Sequence, residues 1–475
     1  MNALMVNVIS GASLRLRRVL AEAVQTARRQ RRVVLVSYSS PCPTVDPLVF
    51  FGRGRRLDID RFYWERPADQ VSLVGLGSVR VVRLHDSLRF IEAAQAWRCL
   101  LSDSLIEAEA TSKVAVGPVL VGGFAFEPED SYGLWWEGFP AGRLVVPRLV
   151  LTRQADNAWL TMNRLVRGEE DSETLASEFV EQVDLLIERQ DTGRDPGLPV
   201  PVVAERMHVS ASDWKALVEK TAAAARRGEV EKVVLARAES ILARRVFRPE
   251  PVLERLREDY PGCTVFAVAR RRACFLGATP ERLVQLKDGQ VKVSCLAGTT
   301  GRGQTSDEDD RLGERLLASH KNRAEHGIVA RILRQNLGDL CSELVAPECP
   351  VLLKFRNVQH LYTPLAGRLR PGQTVLDVVE RLHPTPAVGG FPREVALDLI
   401  RRTEGLDRGW YAGPIGWIDQ RGDGDFVVAI RSALLRGSEA VLFAGCGIVA
   451  ESVPEAEYEE SCLKLQPMRS ALRVR

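Results

Sequence analysis

The sequence predicts an α+β fold built on a sandwich of β-sheets. Short runs rich in Val and Leu, typical of strands, recur along the chain and are separated by turns. Segments with helical spacing of apolar residues lie between these runs in mixed order, which favours a sheet sandwich over a regular βαβ array. A length of 475 residues suits one large unit with an N-terminal extension, or two or three ordinary domains.

The composition is that of a soluble globular protein, with 45% hydrophobic and 27% charged residues. The 65 basic and 62 acidic residues leave a net charge of +3, so the weak overall field gives no reason to expect a nucleic-acid partner. No stretch approaches the ~20 apolar residues that a membrane span requires, and the N-terminus lacks the order of a signal peptide. We therefore expect a cytoplasmic protein that binds neither nucleic acid nor membrane.

The cysteines and histidines do not form the pattern of a zinc site. Nine cysteines are scattered from Cys42 to Cys462 without a CxxC pair, and only six histidines are present. The thiols are expected to be reduced and to pack as small hydrophobic groups.

Residues 1–195 form the first of two predicted regions, in which short strands dominate. Helical apolar spacing occurs over 88–103 and 172–189. A linker is expected over 191–201, where polar residues give way to prolines. The strands predicted here are 32–38, 71–74, 79–84, 114–126 and 144–151.

The second predicted region, residues 205–475, begins with a helix that Ser210 or Ser212 caps and that ends near Gly228. The strand KVVLAR follows directly, over 232–237. A single long helix is expected over about 307–340, and a shorter one over about 374–382. Further strands are predicted at 264–269, 274–277, 282–286, 291–294 and near His360.

Two residues are candidates for proton transfer. Lys232 shares a strand face with Val234 and Ala236, and burial there should lower its pKa, as a general base near neutral pH requires. The alternative is an edge-strand lysine whose amine reaches solvent. Glu281, in GATPERL, follows a predicted strand among apolar and turn-forming residues, so it is either a general acid with a raised pKa or a surface glutamate in a turn.

Three glutamates form a candidate metal site. Glu325, in KNRAEH, faces the buried side of the long helix, because apolar residues follow it three, four and seven positions on. Glu457, Glu460 and Lys464 fall on one face of a helix near the C-terminus. Inward carboxylates from different segments suit a hard, oxygen-seeking ion such as Mg²⁺. The alternative for the second group is a solvated face of salt bridges.

Arg431 and a glycine pair are candidates for anion binding. Arg431 lies in the apolar run FVVAIRSA, where we expect a strand, and shares a face with Val427, Ala429 and Ala433. An inward arginine can hold a carboxylate through two parallel hydrogen bonds, and the alternative is a structural ion pair. The glycines of FAGCGIV, Gly445 among them, would let backbone N–H groups approach an anion, but glycine pairs are also common in turns.

Taken together, these segments resemble the chorismate-utilising enzymes and, within them, the isochorismate synthases. FYWERP, over 62–67, is similar to a segment of the menaquinone-pathway branch. The resemblance implies one catalytic unit of large antiparallel sheets surrounded by helices, with the site in a cleft between them. The motifs that carry it stand in fixed order over 232–464: KVVLAR, GATPERL, LAGTTGRG, KNRAEH, HLYTP, HPTPAVGGFPR, RGWYAGPIGW, GDGDFVVAIRS, FAGCGIV and EYEESCLK.

The resemblance also implies Mg²⁺ and no organic cofactor, and it assigns the proton transfers. By position in the motifs, Lys232 would activate the water that attacks C2 of chorismate, and Glu281 would protonate the departing C4 hydroxyl. Glu325 and Glu460 would bind the metal, with Glu457 beside them.

The remaining motif positions imply contacts with the substrate. Arg431, Lys464 and the Gly445 region would hold its carboxylates, and His360, in HLYTP, would lie near the leaving hydroxyl. Asn322 stands where many relatives carry an acidic residue, so we expect a carboxylate outside the metal ligands to be missing.

Ala387, in HPTPAVGG, distinguishes the branches of the family. This form resembles the isochorismate synthases, whereas the amine-using and salicylate-forming relatives carry a threonine-containing loop. The implied activity is isomerisation of chorismate to isochorismate by a monomer or weak homodimer, without a glutaminase subunit. One alternative is a salicylate synthase, which goes on to expel pyruvate. The other is a catalytically silent binding protein on the same fold, against which Lys232 and Glu281 argue.

Overall fold

Two β-sheets of 13 and 10 strands form the centre of the molecule. The computed structural model describes residues 2–108, 114–128, 133–187 and 201–472. The helices in these ranges are α1 (Asn2–Gln30), α2 (Pro47–Arg53), α3 (Arg89–Leu101), α4 (Ser172–Ile187), α5 (Ala211–Arg226), α6 (Pro249–Asp259), α7 (Ser306–Ala318), α8 (His320–Leu340), α9 (Val375–Leu382), α10 (Arg393–Thr403) and α11 (Pro454–Leu472).

The strands range from two to 12 residues in length. They are β1 (Val34–Cys42), β2 (Arg61–Arg66), β3 (Val71–Leu76), β4 (Arg80–Leu84), β5 (Leu105–Ala108), β6 (Val119–Phe124), β7 (Gly142–Val146), β8 (Leu149–Gln154), β9 (Asn157–Val166), β10 (Val202–Met207), β11 (Lys232–Ala243), β12 (Thr264–Arg270), β13 (Ala273–Thr279), β14 (Arg282–Lys287), β15 (Gln290–Gly301), β16 (Cys341–Val345), β17 (Val351–Lys354), β18 (Val358–Leu369), β19 (Gly390–Phe391), β20 (Pro414–Asp419), β21 (Gly424–Val428), β22 (Ser432–Arg436) and β23 (Glu439–Ile448).

The first sheet has the strand order β10-β11-β23-β22-β13-β12-β2-β3-β8-β9-β1-β5, with the short β19 also paired to β11. The second has the order β16-β18-β15-β14-β21-β20-β6-β7-β4, with β17 paired to β18. Within the described ranges every pair is antiparallel except β1 with β5. The predicted α+β sandwich of large antiparallel sheets with surrounding helices is confirmed.

Both predicted regions contribute strands to both sheets. Strands before residue 190 form one side of the first sheet and, as β6, β7 and β4, one end of the second. The boundary between 1–195 and 205–475 stays a prediction, because residues 191–200 of the predicted linker lie outside the described residues.

The main hydrophobic core lies between the two sheets. On β2, Phe62 and Trp64 point into it, whereas Tyr63 points to a second core on the opposite face of the first sheet. This alternation follows from the two-residue period of a strand. Trp64 meets Trp417 of β20 edge to face, with ring centroids 6.2 Å apart, so the two sheets are in direct contact. Helices α1, α2 and α6 pack over the second core, and α8, α3 and α9 pack against the second sheet.

Two predicted strands are wrong in extent. The prediction for 114–126 holds only for Val119–Phe124, because Ala115 and Gly117 have positive φ, which breaks an extended backbone. The run 144–151 is two strands, β7 and β8, which belong to different sheets. Pro147 lies between them, where a proline cannot donate a ladder hydrogen bond.

The single helix predicted over 307–340 is also wrong, because it is two helices that meet at Ser319. Ser319 has an extended backbone (φ −66°, ψ 115°), and its hydroxyl accepts a hydrogen bond from the Asn322 N–H at 3.3 Å. A serine in this conformation caps the N-terminus of a helix. The residue therefore ends α7 and starts α8.

No helix in the described parts of the chain has the length and hydropathy needed to cross a membrane.

Replacing the capping serine should destabilise the protein measurably. We expect Ser319→Ala to lower the free energy of unfolding by about 1 kcal/mol, because the first N–H groups of α8 lose an acceptor. Urea denaturation measures the change. Ser306→Ala, at the exposed start of α7, is the matched control and should change stability by less than about 0.5 kcal/mol. Equal effects of the two substitutions would contradict the capping role.

Candidate active site

A cavity with an empty volume of about 690 Å³ lies where the chain crosses between the two sheets. Strands β11, β15 and β23, helices α8 and α11, and several loops supply its walls. Two predicted site residues, Lys232 and Glu457, are buried but do not line the cavity. The other eight line it: Glu281, Glu325, His360, Ala387, Arg431, Gly445, Glu460 and Lys464.

Two of these residues lie on crossings of the chain between the sheets. Glu281 lies between β13 of the first sheet and β14 of the second, and Arg431 lies between β21 of the second and β22 of the first. The crossings are joined by hydrogen bonds: the Val428 N–H donates to the Glu281 carbonyl at 3.1 Å, and the Ala278 N–H donates to the Arg431 carbonyl at 3.2 Å. The acid and the arginine therefore hold a fixed relative position.

The prediction that Arg431 lies within a strand, on one face with Val427 and Ala433, is wrong. Arg431 has φ 51°, outside the strand region, because the chain turns here from one sheet to the other. The turn packs closely against β13, where a Cβ at Gly277 would lie 2.7 Å from the Arg431 carbonyl oxygen. The side chain is nonetheless buried and faces the cavity, as expected.

The Arg431 guanidinium is available to an anion. No carboxylate among the described residues lies within ion-pair distance of it, and it is only 6% exposed. Burial lowers the pKa of Arg431. A buried arginine without a counter-ion is costly, so a carboxylate ligand in the cavity would offset that cost.

Glu281 has the properties expected of an acid that is protonated near neutral pH. Its side chain is 4% exposed, and burial raises its pKa from 4.5 to about 7. Lys232, Lys464 and Arg431 act in the opposite direction, but burial outweighs them. The surface-turn alternative for Glu281 is therefore excluded.

Three lysines pair with the three predicted metal ligands. Lys464 Nζ lies 2.6 Å from Glu460, and Lys321 Nζ lies 2.8 Å from Glu457. Although burial acts to raise the pKa of Glu460, Lys464 and Lys321 lower it below its ordinary value. The solvated salt-bridge face considered for the C-terminal helix is wrong, because this side of α11 packs on β23 and faces the cavity.

Lys232 pairs with Glu325 beside the cavity wall. Its side chain is fully buried, and Nζ lies 3.0 Å from Glu325 Oε1 without the geometry of a hydrogen bond. A Cβ at Gly447 would collide with Glu325 Oε1 and Lys232 Cε, so only glycine leaves room for this pair. The edge-strand alternative for Lys232, with its amine in solvent, is therefore excluded.

The carboxylates have the donor chemistry that Mg²⁺ prefers. Burial acts to raise the pKa of Glu325, but Lys232 and Lys321 outweigh it and hold the pKa below its ordinary value, so the carboxylate is negatively charged at neutral pH. Glu457 Oε2 is buried and makes no hydrogen bond in the described structure. Cys446 Sγ lies near Glu457 and Glu460, but burial raises its pKa, and a protonated thiol is a poor ligand for a hard ion. The residues present therefore fit an ion held by oxygen atoms.

One ring nitrogen of His360, which lines the cavity, has no hydrogen-bond partner in the described structure. Its Nδ1 lies 2.9 Å from the Thr299 hydroxyl, whereas Nε2 is buried without a partner in the described structure. Burial lowers the pKa of His360 well below its ordinary value, so the ring is neutral. It can exchange a hydrogen bond with a ligand hydroxyl in the cavity.

Two further predicted positions have defined surroundings. Ala387 lies in a loop that Thr385 stabilises, because the Thr385 hydroxyl and carbonyl accept hydrogen bonds from the N–H groups of Ala387 and Val388. Gly445 lies within β23, so the alternative of a turn is wrong, and its carbonyl accepts a hydrogen bond from Lys464 Nζ at 2.8 Å. That its backbone N–H approaches an anion stays a prediction.

Four residues of the site were not singled out from the sequence. Lys321 neutralises Glu457, and Thr299 orients His360. Tyr411 and Arg408 line the cavity from the segment RGWYAG. All four belong to motifs that the resemblance covers, but residue type alone did not separate them from their neighbours.

Comparison with known proteins agrees with this geometry. A family model described as chorismate binding enzyme matches residues 22–473. The chain belongs to the chorismate-binding enzymes. Among curated members of the family, the isochorismate synthase MenF of Bacillus subtilis is 40% identical over 468 residues, which cover 96% of this chain and 97% of the relative. The salicylate biosynthesis isochorismate synthase of Pseudomonas aeruginosa is 38% identical over 462 residues, covering 96% and 94%.

Solved structures of chorismate-binding enzymes have the same fold. The menaquinone-specific isochorismate synthase MenF of Escherichia coli superimposes with a TM-score of 0.78 at 26% identity, covering 96% of this chain and 100% of that one. Anthranilate synthase component I of Streptococcus pneumoniae, at 22% identity, shares the fold with a TM-score of 0.68 over 84% and 92% of the two chains.

The raised pKa of Glu281 should make stability depend on pH. Between about pH 4.5 and 7 the folded state holds this proton and the unfolded state has lost it, so the wild type loses stability as the pH rises across this window. The loss attributable to Glu281 is on the order of 3 kcal/mol.

Glu281→Gln removes the titrating carboxyl, so this variant should not show the same loss of stability as the pH rises. We expect its stability advantage over the wild type to grow from pH 4.5 to 7 and then to level off, as measured by urea denaturation at each pH. Stability curves of the two proteins that stay parallel across the window would show that the proton is not held in the folded state.

Proposed function

We propose that this protein is an isochorismate synthase, which adds water at C2 of chorismate and removes the C4 hydroxyl. The observation that carries the proposal is a cavity lined by Glu281, a buried acid of pKa about 7, and by Glu325, whose carboxylate pairs with the buried Lys232 behind the cavity wall. The 40% identity to a curated isochorismate synthase over nearly the whole chain supports the same activity.

The positively charged side chains of Arg431 and Lys464 suit a substrate with two carboxylates. Arg431 can hold one carboxylate through two parallel hydrogen bonds. Lys464, which bridges Glu460 and the Gly445 carbonyl, brings positive charge to another side of the cavity. His360 would accept or donate a hydrogen bond at the leaving hydroxyl through its unpartnered Nε2.

Glu325 and Glu460 would hold Mg²⁺, with Glu457 beside them. When bound, Mg²⁺ supplies positive charge that fixes a substrate carboxylate and offsets the charge of the glutamates. The chain itself orients these carboxylates, since Lys321 and Lys464 each hold one of them by an ion pair.

Lys232 would take a proton from the attacking water, and Glu281 would give one to the departing oxygen. Negative charge develops on the leaving oxygen as positive charge develops on the water, so both transfers lower the barrier. Glu281 can donate only while it is protonated, so burial that raises its pKa to about 7 keeps it competent near neutral pH.

Ala387 supports water as the nucleophile, because its methyl group offers no hydrogen bond to orient ammonia. FYWERP and the identity to MenF support a place in menaquinone synthesis. Nine unpaired cysteines suit a reducing compartment, and we place the enzyme in the cytoplasm as a monomer or weak homodimer without a glutaminase subunit.

Product analysis tests this function. Chromatography of a reaction with chorismate and Mg²⁺ should show isochorismate. Substantial salicylate and pyruvate from fresh enzyme would instead indicate a salicylate synthase, and no turnover would indicate a binding protein. Lys232→Gln should lower kcat by about 10²–10⁴-fold, the usual contribution of a general base. Lys220→Gln, at an exposed position on α5, is the control and should retain the wild-type rate.

The metal ligands are tested by titration. Glu460→Gln removes a charged oxygen donor and should raise the Mg²⁺ concentration for half-maximal activity at least about tenfold, a loss of roughly 1.4 kcal/mol. Glu459→Gln, at the neighbouring exposed position, is the control. Calorimetric binding of Mg²⁺ in the presence of chorismate gives a second measure. An unchanged Mg²⁺ titration for Glu460→Gln would argue against ligation.

A further inference from the structure

The strand that carries Lys232 has an incomplete neighbour on one edge. One edge of β11 pairs with β23 from Val233 to Leu242. On the other edge, β10 pairs only with residues from Glu239 onwards, and the two-residue β19 pairs only with Lys232 and Val233. Residues 234–238 lie between these two pairings and have no strand beside them on this edge.

A buried ion pair occupies this gap. Glu404 accepts a hydrogen bond from the Ala236 N–H at 2.7 Å, and Arg408 Nη2 donates to the Val234 carbonyl at 2.7 Å. Arg408 and Glu404 also bind each other through two hydrogen bonds, at 2.7 and 2.5 Å. Together the two side chains supply the acceptor and the donor that a neighbouring strand would provide.

The same arginine also holds the loop that contains Ala387. Its Nη1 donates to the Val388 carbonyl at 2.9 Å, and the Gly389 carbonyl accepts a hydrogen bond from the Val234 N–H at 2.8 Å. Both Val388 and Val234 line the cavity, as does Arg408 itself. One guanidinium thus joins two adjacent segments of the cavity wall.

We propose that Glu404 and Arg408 are positioning residues that fix the Lys232 strand and the Ala387 loop at the separation that catalysis requires. The inference rests on the proposed function. A hydrophobic pair would fill the same volume, but it could not bind one N–H and two carbonyls at fixed distances. Because a displacement of about 1 Å in an active site can reduce the rate by about 10²-fold, loss of this bridge should reduce kcat far more than it changes folding.

The decisive variant is the double substitution Glu404→Leu with Arg408→Met. Replacing both members avoids leaving one buried charge unpaired, but the Ala236 N–H and the Val234 and Val388 carbonyls lose their partners, so we expect a folded protein with a Tm below that of the wild type. We expect kcat to fall by about 10–100-fold, while KM for chorismate changes by less than about threefold. Amide hydrogen exchange should accelerate in peptides that cover 233–237 and 385–391.

Arg408→Lys is a second test, which does not depend on how well the double variant folds. Lysine keeps the charge balance with Glu404, but one ammonium cannot span Glu404 and the two carbonyls at once. We expect the loss of kcat to persist. Recovery of the wild-type rate by lysine would overturn the proposal, because only charge balance would then matter.

Arg61 and Glu250 provide a matched control pair. Arg61 binds Glu250 at 2.7 Å, donates to the Phe51 carbonyl and lies 4.4 Å from the Phe51 ring, much as Arg408 lies 4.3 Å from the Phe126 ring. This pair does not line the cavity. Glu250→Leu with Arg61→Met should therefore leave kcat within about twofold of the wild type.

The outcomes separate the two hypotheses. If the wild type forms no isochorismate, the proposed function fails. If the wild type and the control pair are active and the Glu404/Arg408 variant is equally active, only the positioning role fails. A low kcat confined to the Glu404/Arg408 variants, with a nearly unchanged KM in proteins that remain folded at the assay temperature, supports it.

Discussion

The site depends on two crossings of the chain between the sheets. Residues 280–281 and 429–431 each carry the backbone from one sheet to the other, and hydrogen bonds between the crossings hold them side by side. Because each crossing is anchored in a strand at both ends, its side chains have little freedom to move. The backbone therefore places the Glu281 carboxyl and the Arg431 guanidinium at one cavity, although the two side chains form no ion pair in the described structure.

Electrostatic balance is the second requirement. The carboxylates of Glu325, Glu457 and Glu460 would be too costly to bury together without cations. Lys232, Lys321 and Lys464 each pair with one of them. Glu281 has no ion-pair partner in the described structure and instead has a raised pKa, which keeps it neutral below about pH 7. Three of these four glutamates are paired with lysines and one is protonated, which distinguishes the candidate metal ligands from the candidate acid.

Much of the site could be predicted from motifs, but the reasons for some predictions were wrong. Arg431 was expected to face inward because of strand alternation, yet it faces inward because the chain turns there with φ 51°. For Gly445 a turn was the alternative to an anion contact, and the residue lies in β23. A continuous helix was predicted over 307–340 from its apolar spacing, and Ser319, which divides it, is neither Gly nor Pro, the usual residues that end a helix. A capping serine between two helices is hard to distinguish from a serine within one.

Local patterns in the sequence determined the strand-rich sandwich and the helical face of Glu325, because both depend on the spacing of residues that are close together in the chain. The candidate site residues came from the resemblance to the family's motifs. Only the tertiary structure decided which sheet each strand joins, that Lys232 pairs with Glu325 across 93 positions, and that Arg408 connects β11 to the loop that contains Ala387. Such contacts depend on distances between segments far apart in sequence, which side-chain periodicity does not encode.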